Sequence, residues 1–454
     1  MNDHVLALLL FWGVWLLIPA ILDGVQATAQ LLVVGANTLR RRRRAAPRDA
    51  EVAWWPFLSV VVPVHNGEAG LARCLGALLA QGYPGRREAI VVDNASTDRT
   101  REIAREAADA APFPLHVLGL AHAGKTRALN AGIALARGEI VVHIDADTAL
   151  APGALRAVAR AFLDDPALAA ASGAIEIRPC EPDTRPGLAA LAYCEFLEYL
   201  SSFQVGRQYQ ALTNTLYTLS GAFSCFRRDA LLATFLYDSE TVSEDTKLTF
   251  DLHYGGKRRR LGFIPGARAS LDPIPSLAAL YAQRVRWQRG QLEVSAAHRH
   301  KLYSGLFRPG VLAPGRALLA DHTLLFPRII WTALLPVLLA FGYSFDLIAA
   351  SFVVMYLFYL LGDLAAIATC YGLADPATRR RIRDGVAWLP LLPLYRYGIA
   401  LCRLGGILEA CAEPATWRTR DPWAQSRAHA ARLLGRLRRP VAGARTTPRD
   451  DVRA

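Results

Sequence analysis

From Phe57 onward, short apolar runs rich in β-branched residues alternate with segments of helical periodicity, and this alternation restricts the fold more than any other feature of the chain. Leu58–Val64, Glu88–Asp93, Leu115–Leu118 and Ile140–Ile144 read as strands, and Leu71–Gln81, Arg99–Asp109 and Lys125–Ala136 read as helices. The cluster Asn94-Ala95-Ser96-Thr97-Asp98 is a turn and N-cap signal between two of them. Repeated strand–helix units with aspartates at strand ends predict an α/β domain built on a mostly parallel sheet, with one ligand-binding edge at the carboxyl ends of its strands. The densest signal is Ile140-Val141-Val142-His143-Ile144-Asp145-Ala146-Asp147-Thr148, where an apolar strand ends abruptly in two carboxylates around one small residue. Both carboxylates can face a single ligand as the pleat breaks into a loop. Two such carboxylates repel each other unless a cation sits between them. A hard divalent metal joining them to a diphosphate relieves that repulsion. The competing reading is a strand followed by an aspartate-rich N-cap, with Pro152 opening the next helix.

The chain has 454 residues, 53% of them hydrophobic, and a formal net charge of +13. This length accommodates two or three domains. The basic residues are gathered in runs at Arg40–Arg44, Lys257–Arg260, Arg379–Arg383 and Arg432–Arg439. Most flank apolar segments, which favours anchoring at an anionic lipid surface. No nucleic-acid partner is expected, because no reading module and no interleaving of aromatic with basic residues is present. The seven cysteines, Cys74, Cys180, Cys194, Cys225, Cys370, Cys402 and Cys411, form no CxxC pair, so neither a zinc site nor a disulfide framework is predicted. No internal repeat is visible.

Val5–Leu39 is long and apolar enough to cross a bilayer and is followed by five arginines, which places the N-terminus outside and the arginines in the cytoplasm. Trp54 and Trp55 suit either a membrane interface or the start of a soluble core. Gly124-Lys125-Thr126 lacks the glycine and the preceding strand of a nucleotide-triphosphate loop. A lysine at a helix N-terminus nevertheless suits a phosphate. Leu188–Tyr209 reads as an aromatic-rich helix, and Leu219–Arg228 as a small-residue turn entering a strand. Thr241-Val242-Ser243-Glu244-Asp245 places two carboxylates at a helix start, either as ordinary N-terminal charges or as a base facing the first site. Gln283-Arg284-Val285-Arg286-Trp287-Gln288-Arg289-Gly290 reads as a basic helix carrying an aromatic. Leu324–Tyr343 and Leu347–Tyr371 are each long enough to span. Val386–Cys411 carries Arg396, Arg403 and Glu409, which favours an interfacial segment over a third span. The expected organisation is an anchor at 1–39, a basic linker at 40–56, a catalytic domain at 57–265, interfacial helices at 266–315, a membrane region at 316–412 and a basic tail at 413–454.

Taken in order, Asp93, Asp145-Ala146-Asp147, Ser243-Glu244-Asp245 and Gln283-Arg284-Val285-Arg286-Trp287 resemble the motif series of the membrane-embedded family 2 glycosyltransferases, which include the synthases of cellulose, hyaluronan, chitin oligosaccharide and poly-N-acetylglucosamine. Pro63-Val64-His65-Asn66-Gly67-Glu68 is similar to the family's P-x-Y-N-E, and Gly124–Asn130 to its G-K-x-x-A-L-N. The resemblance covers about Phe57 to Gly290 together with the flanking apolar segments. It implies a GT-A fold, a Rossmann-like mixed sheet with helices on both faces, in a cytoplasmic domain flanked by transmembrane helices at the plasma membrane.

The resemblance also implies a UDP-sugar donor, Mg2+ or Mn2+, and a glycan or lipid-linked acceptor, with accessory export or modification proteins as partners. By motif, Asp93 meets the uracil, with Pro63 and Glu68 near the nucleoside. Lys125 meets the diphosphate, Asp145 the ribose and diphosphate, and Asp147 the metal. Asp245 is the general base, with Glu244 beside it. Ser220, Gly221 and Ala222 line the acceptor site, and Gln283, Arg286 and Trp287 hold the acceptor end and the leaving diphosphate. The implied reaction is an inverting transfer, processive in the leading reading and a single addition to a lipid or surface polymer in the alternative. The chain departs from the family at His65, which replaces Tyr, at Gly67, which precedes Glu68, at Asn94, which replaces a second Asp, and at Ser243, which replaces Thr.

Overall fold

The computed structural model describes residues 3–43, 52–238, 241–255, 259–300, 314–323 and 325–410. The N-terminal segment is helical from α1 (Asp3–Pro19) through a π turn at Ala20–Gly24 into α2 (Val25–Arg43). The region from Leu58 then follows the expected alternation: β1 (Leu58–Val64), α3 (Leu71–Leu79), β2 (Arg87–Asp93), α4 (Thr100–Asp109), β3 (Leu115–Gly119), α5 (Lys125–Leu135) and β4 (Ile140–Ile144). β1 and β4 are buried at every residue, as continuous runs of Val and Ile require when both faces of a sheet are covered. Burying each such side chain contributes about 1.5–3 kcal/mol.

The second half of the sheet comprises β5 (Ala149–Leu150), β6 (Leu168–Ile177), β7 (Phe223–Arg227) and β8 (Arg260–Leu271). Interspersed with these are α6 (Ala154–Asp164), α7 (Pro186–Ser201), α8 (Gln208–Leu212), α9 (Arg228–Leu232) and α10 (Glu244–Tyr254). The eight strands run β3-β2-β1-β4-β7-β6-β8-β5. β3, β2, β1 and β4 are mutually parallel, whereas β7 runs antiparallel to both β4 and β6. The sheet is therefore mixed. The expectation of a mostly parallel sheet holds for β1 to β4, β6 and β8, which run in one direction; β5 and β7 run against them, and β7 enters the middle of the sheet from a distant part of the chain. β8 continues the sheet to Leu271, past the expected domain boundary at 265.

α11 (Leu277–Ala297) carries the basic segment, followed by α12 (Pro314–Thr323), α13 (Leu325–Val337), α14 (Phe345–Leu373), α15 (Pro376–Asp384) and α16 (Leu392–Ala410). Among the described residues, two helices are long and apolar enough to cross a membrane, Phe345–Leu373 and Val386–Ala410. The span expected from Leu324 is shorter: its apolar helix Pro327–Phe341 ends at Gly342, whose φ is +85°. Conversely, the segment expected to be interfacial forms a helix of spanning length. Its charged residues have partners, Arg396 with Asp363 at 2.9 Å and Arg403 with Asp321 at 2.7 Å. Cys74, Cys194, Cys225 and Cys370 are buried and free, as small core residues are. Cys411, the tail at 413–454 and parts of the linker lie outside the described residues.

Candidate active site

Because β1, β2, β3 and β4 are parallel, their carboxyl ends share one edge, and the loops at 65–70, 94–99, 120–124 and 145–148 gather there. Asp145 emerges from β4 at this edge. Lys125, the first residue of α5, reaches it at 3.2 Å and also reaches Glu244 at 3.0 Å. Burial works against the Lys125 ammonium, but Asp145, Glu244 and Asp245 outweigh it and push its pKa up. Burial likewise raises Asp145, and Lys125 and His143 more than offset it, holding the carboxyl well below the usual range. Lys125 is thus no solvated surface residue: it joins the β4 strand end to the start of α10.

Asp245 lies beside Glu244. Its Oδ2 accepts a hydrogen bond from the Gly221 N–H at 3.1 Å and its Oδ1 one from the Thr246 N–H at 2.7 Å. Burial and the Glu244 charge push its pKa up to about 6. Gly221 stands where the groups converge: a β-carbon there would lie 3.4 Å from Asp245 Oδ2 and 3.8 Å from both Asp145 Oδ2 and Lys125 Nζ. A side chain at this position would fill the gap between the two acidic motifs. Ser220 and Ala222 flank it and are half-buried. Asp147 is exposed at the mouth, where the surrounding protein and the Asp145 charge raise its pKa. It does not cap the next helix, which begins at Ala154 after Gly153.

α11 reaches the same place. Gly290 packs so closely on the loop before α10 that a β-carbon there would lie 1.9 Å from Ser243 Oγ. One turn earlier, Arg286 lies in the field of Glu244 and Asp145. Gln283 Oε1 is buried with no hydrogen-bond partner among the described residues. Trp287 is 38% exposed, and the guanidinium of Arg284 stacks on its ring at 4.5 Å. Arg284 is itself tied to Glu198 at 2.6 Å.

Three expected site residues sit apart from this cluster. Pro63 is buried within β1. Glu68 is exposed, 4.0 Å from Arg99. Asp93 is fully buried, its carboxylate taken by the Arg101 side chain at 2.7 and 2.8 Å and by the Ser96 N–H at 3.0 Å. Burial raises Asp93, but the Ser96 and Arg101 contacts prevail and lower its pKa. Arg101 and Arg105 line a cleft of about 340 Å³ with Gly119 and Leu120. The arginine partner of Asp93 lies eight residues on, and no sequence motif announces it.

A mixed sheet of this order, with an acidic cleft at the carboxyl ends of its parallel strands, defines a GT-A-like fold. A solved mannosyltransferase from Pyrobaculum calidifontis, in complex with GDP-Man and Mn2+, shares that fold, with a TM-score of 0.54 and 21% identity over 87% of this chain and 98% of that one. Residues 59–235 match the family model described as glycosyl transferase family 2. That stretch, which holds the β1–β7 part of the sheet, is thus similar to a family 2 glycosyltransferase domain. Proteins named poly-β-1,6-N-acetyl-D-glucosamine synthase from Staphylococcus aureus and Staphylococcus epidermidis are 28% identical to it over 237 residues, 52% of this chain and 55% of theirs. The chain spans about half the length of these curated relatives.

Proposed function

We propose that the protein is an inverting, metal-dependent transferase that moves a sugar from a UDP-sugar onto a growing polysaccharide at the plasma membrane, adding successive units. The observation that carries this reading is the convergence of Lys125, Asp145, Glu244, Asp245 and the Gly221 N–H at one sheet edge, with α11 packed against them through Gly290. Inversion requires one base in line with the departing diphosphate. Asp245, with its pKa near 6, is suited to take the acceptor hydroxyl's proton at neutral pH. Glu244 is held by Lys125 and acts through its charge. Ser220, Gly221 and Ala222 line the acceptor side. Gln283 offers an unused buried acceptor, Trp287 an open ring face for a sugar, and Arg286 a fork suited to phosphate. Lys125 and Asp145 orient the donor's diphosphate and ribose. Pro63, Glu68 and Asp93 support the nucleoside side, Asp93 through Arg101.

The carboxylates fit Mg2+ or Mn2+. Asp147 is open to solvent, and its pKa is raised in part by Asp145, repulsion that a cation would relieve. Among the described residues no three His, Cys, Asp or Glu side chains are placed to hold an ion. This suits a metal held by one or two carboxylates and completed by substrate phosphates. Such an ion supplies charge for the departing UDP. UDP binding is accordingly expected to depend on Mn2+ and to lose that dependence in Asp147→Ala, with affinity falling at least about tenfold, or about 1.4 kcal/mol. Calorimetry with and without Mn2+ checks this, and metal-independent binding of unchanged affinity would contradict the metal role.

The pH profile is a second test. Asp245 must be ionised to accept a proton, so kcat/KM is expected to fall as pH drops through about 6. A flat profile between pH 5 and pH 8, the window around that value, would remove Asp245 from the base role.

The helices Phe345–Leu373 and Val386–Ala410, with the N-terminal helical segment, would anchor the domain on the cytoplasmic side, the N-terminus outside. The bilayer and accessory export or modification proteins are the partners this reading implies. The whole reading is tested by giving the purified full-length protein a panel of UDP-sugars and sizing the products. Long chains support it, and products of one added sugar replace the polymerase reading with single addition.

A further inference from the structure

Behind the acidic cleft runs a chain of buried polar side chains that the motif series does not include. His143 lies on β4, two residues before Asp145, and is 2% exposed. Its Nδ1 is 3.1 Å from the Tyr237 hydroxyl, and the two rings meet edge-on with centroids 5.7 Å apart. Its Nε2 is buried without a hydrogen-bond partner among the described residues and lies 3.5 Å from Asp145 Oδ1, the one carboxylate it faces. Ser224 stands directly opposite His143 in the β4–β7 register.

A carboxylate only accepts hydrogen bonds, so a neutral imidazole facing Asp145 serves it best with the proton on Nε2. Nδ1 is then an acceptor, and the Tyr237 O–H is the donor that fills it. Tyr237 is held for this task. Asn130 grips its backbone twice, donating to the carbonyl at 2.8 Å and accepting from the N–H at 3.1 Å. The residue before it, Leu236, has φ +61°, a left-handed conformation that branched side chains rarely adopt. Such a conformation persists where its surroundings over-determine it, and the Asn130 clamp does so here. The clamp joins three parts of the chain: the helix entered at Lys125, the strand of Asp145, and the segment leading to Glu244 and Asp245.

Lys125 and His143 both address the same oxygen of Asp145, Oδ1. Oδ2 is the oxygen on the Gly221 side of the cleft. We propose that Tyr237 and His143 are positioning residues of the donor site: Tyr237 fixes the His143 tautomer, and His143 with Lys125 holds one Asp145 oxygen so that the other faces the cleft. The proposal rests on the reading of Asp145 as a donor-binding carboxylate.

The test uses the full-length protein in detergent, with UDP and Mn2+ as the binding probe and the UDP-sugar in steady-state assays. Tyr237→Phe removes one oxygen from a buried ring. It is expected to weaken UDP binding and raise the donor KM by about threefold to tenfold, with kcat within about twofold of the parent, the scale of one hydrogen bond. His143→Gln retains an N–H toward Asp145 without needing a fixed tautomer, so in that background Tyr237→Phe is expected to have no further effect. An equal loss in both backgrounds, or a fall in kcat at unchanged KM, would overturn the proposal. Nitrogen-15 spectra of labelled histidine give a readout independent of the donor. His143 is expected as the Nε2–H tautomer in the parent and as a mixture in Tyr237→Phe. An Nδ1–H tautomer in the parent overturns the proposal whatever UDP does. The expected tautomer in a parent that binds no UDP overturns the donor reading of Asp145, and with it the donor role proposed for the pair.

Discussion

Asp245→Asn is expected to lower sugar transfer by about 10²- to 10⁴-fold, the range over which a positioned general base acts, while UDP affinity stays within about threefold, or ~0.7 kcal/mol, of the parent. The substitution keeps the shape of the side chain and removes its ability to take a proton. Glu244 is the nearest replacement, and it is already committed: Lys125 holds it at 3.0 Å and it is almost wholly buried. The amide also meets two backbone donors, the N–H groups of Gly221 and Thr246, and it can satisfy only one with its oxygen. Some loss of order in the 220–222 loop therefore accompanies the chemical defect, and it falls on the acceptor side. Donor binding rests on other residues, so calorimetry with UDP separates the two effects. Transfer at the parent rate would refute the base assignment. Loss of UDP binding together with transfer would show that Asp245 serves the donor instead.

Much of the catalytic region was readable from the chain because its signals are local. A buried parallel strand announces itself as an unbroken β-branched run, and β1, β2 and β4 lie within a residue or two of where those runs placed them. Asp145 at a strand end, Lys125 at a helix start and Glu244-Asp245 at another helix start are properties of short segments. Pairing across the chain is not local. Nothing in Phe223–Arg227 says that it inserts antiparallel between β4 and β6, since its side-chain pattern suits either direction. The same limit hid the partners of the motif residues. Asp93 reads as a lone acid until α4 folds Arg101 over it. His143 reads as one more residue of a strand until Tyr237 arrives from 94 residues away. The aromatic helix expected over Leu188–Tyr209 contains a π turn at Ser202–Arg207, which no periodicity foretold. Its last residue, Arg207, bonds the Thr218 carbonyl and stacks on Phe203 at 4.8 Å. The apolar stretch from Leu324 is helical to Phe341 and stops at Gly342, an end that composition alone does not mark.

The contact between α11 and the loop before α10 carries the second large prediction. Gly290→Ala is expected to cost about 1–3 kcal/mol of stability, as overpacking does, and to lower transfer by about 10²-fold, the loss that a displacement of roughly 1 Å can bring. The added carbon would lie 1.9 Å from Ser243 Oγ, 2.5 Å from Ser243 Cβ and 3.0 Å from the Ser243 backbone nitrogen. The hydroxyl can rotate away, but the β-carbon and the backbone cannot, so helix and loop must separate. That separation moves Arg286 and Trp287 relative to Glu244 and Asp245, although no substituted atom touches a substrate. Ser243→Gly removes two of the three clashing atoms. The pair Gly290→Ala with Ser243→Gly is therefore expected to recover most of the lost activity and melting temperature, a coupling of the kind found between residues in contact. Thermal unfolding and product formation measured on both single variants and the double variant decide the matter. Parent-like behaviour of Gly290→Ala alone would mean that α11 does not rest on Ser243, and the link between the basic helix and the acidic pair would be lost with it.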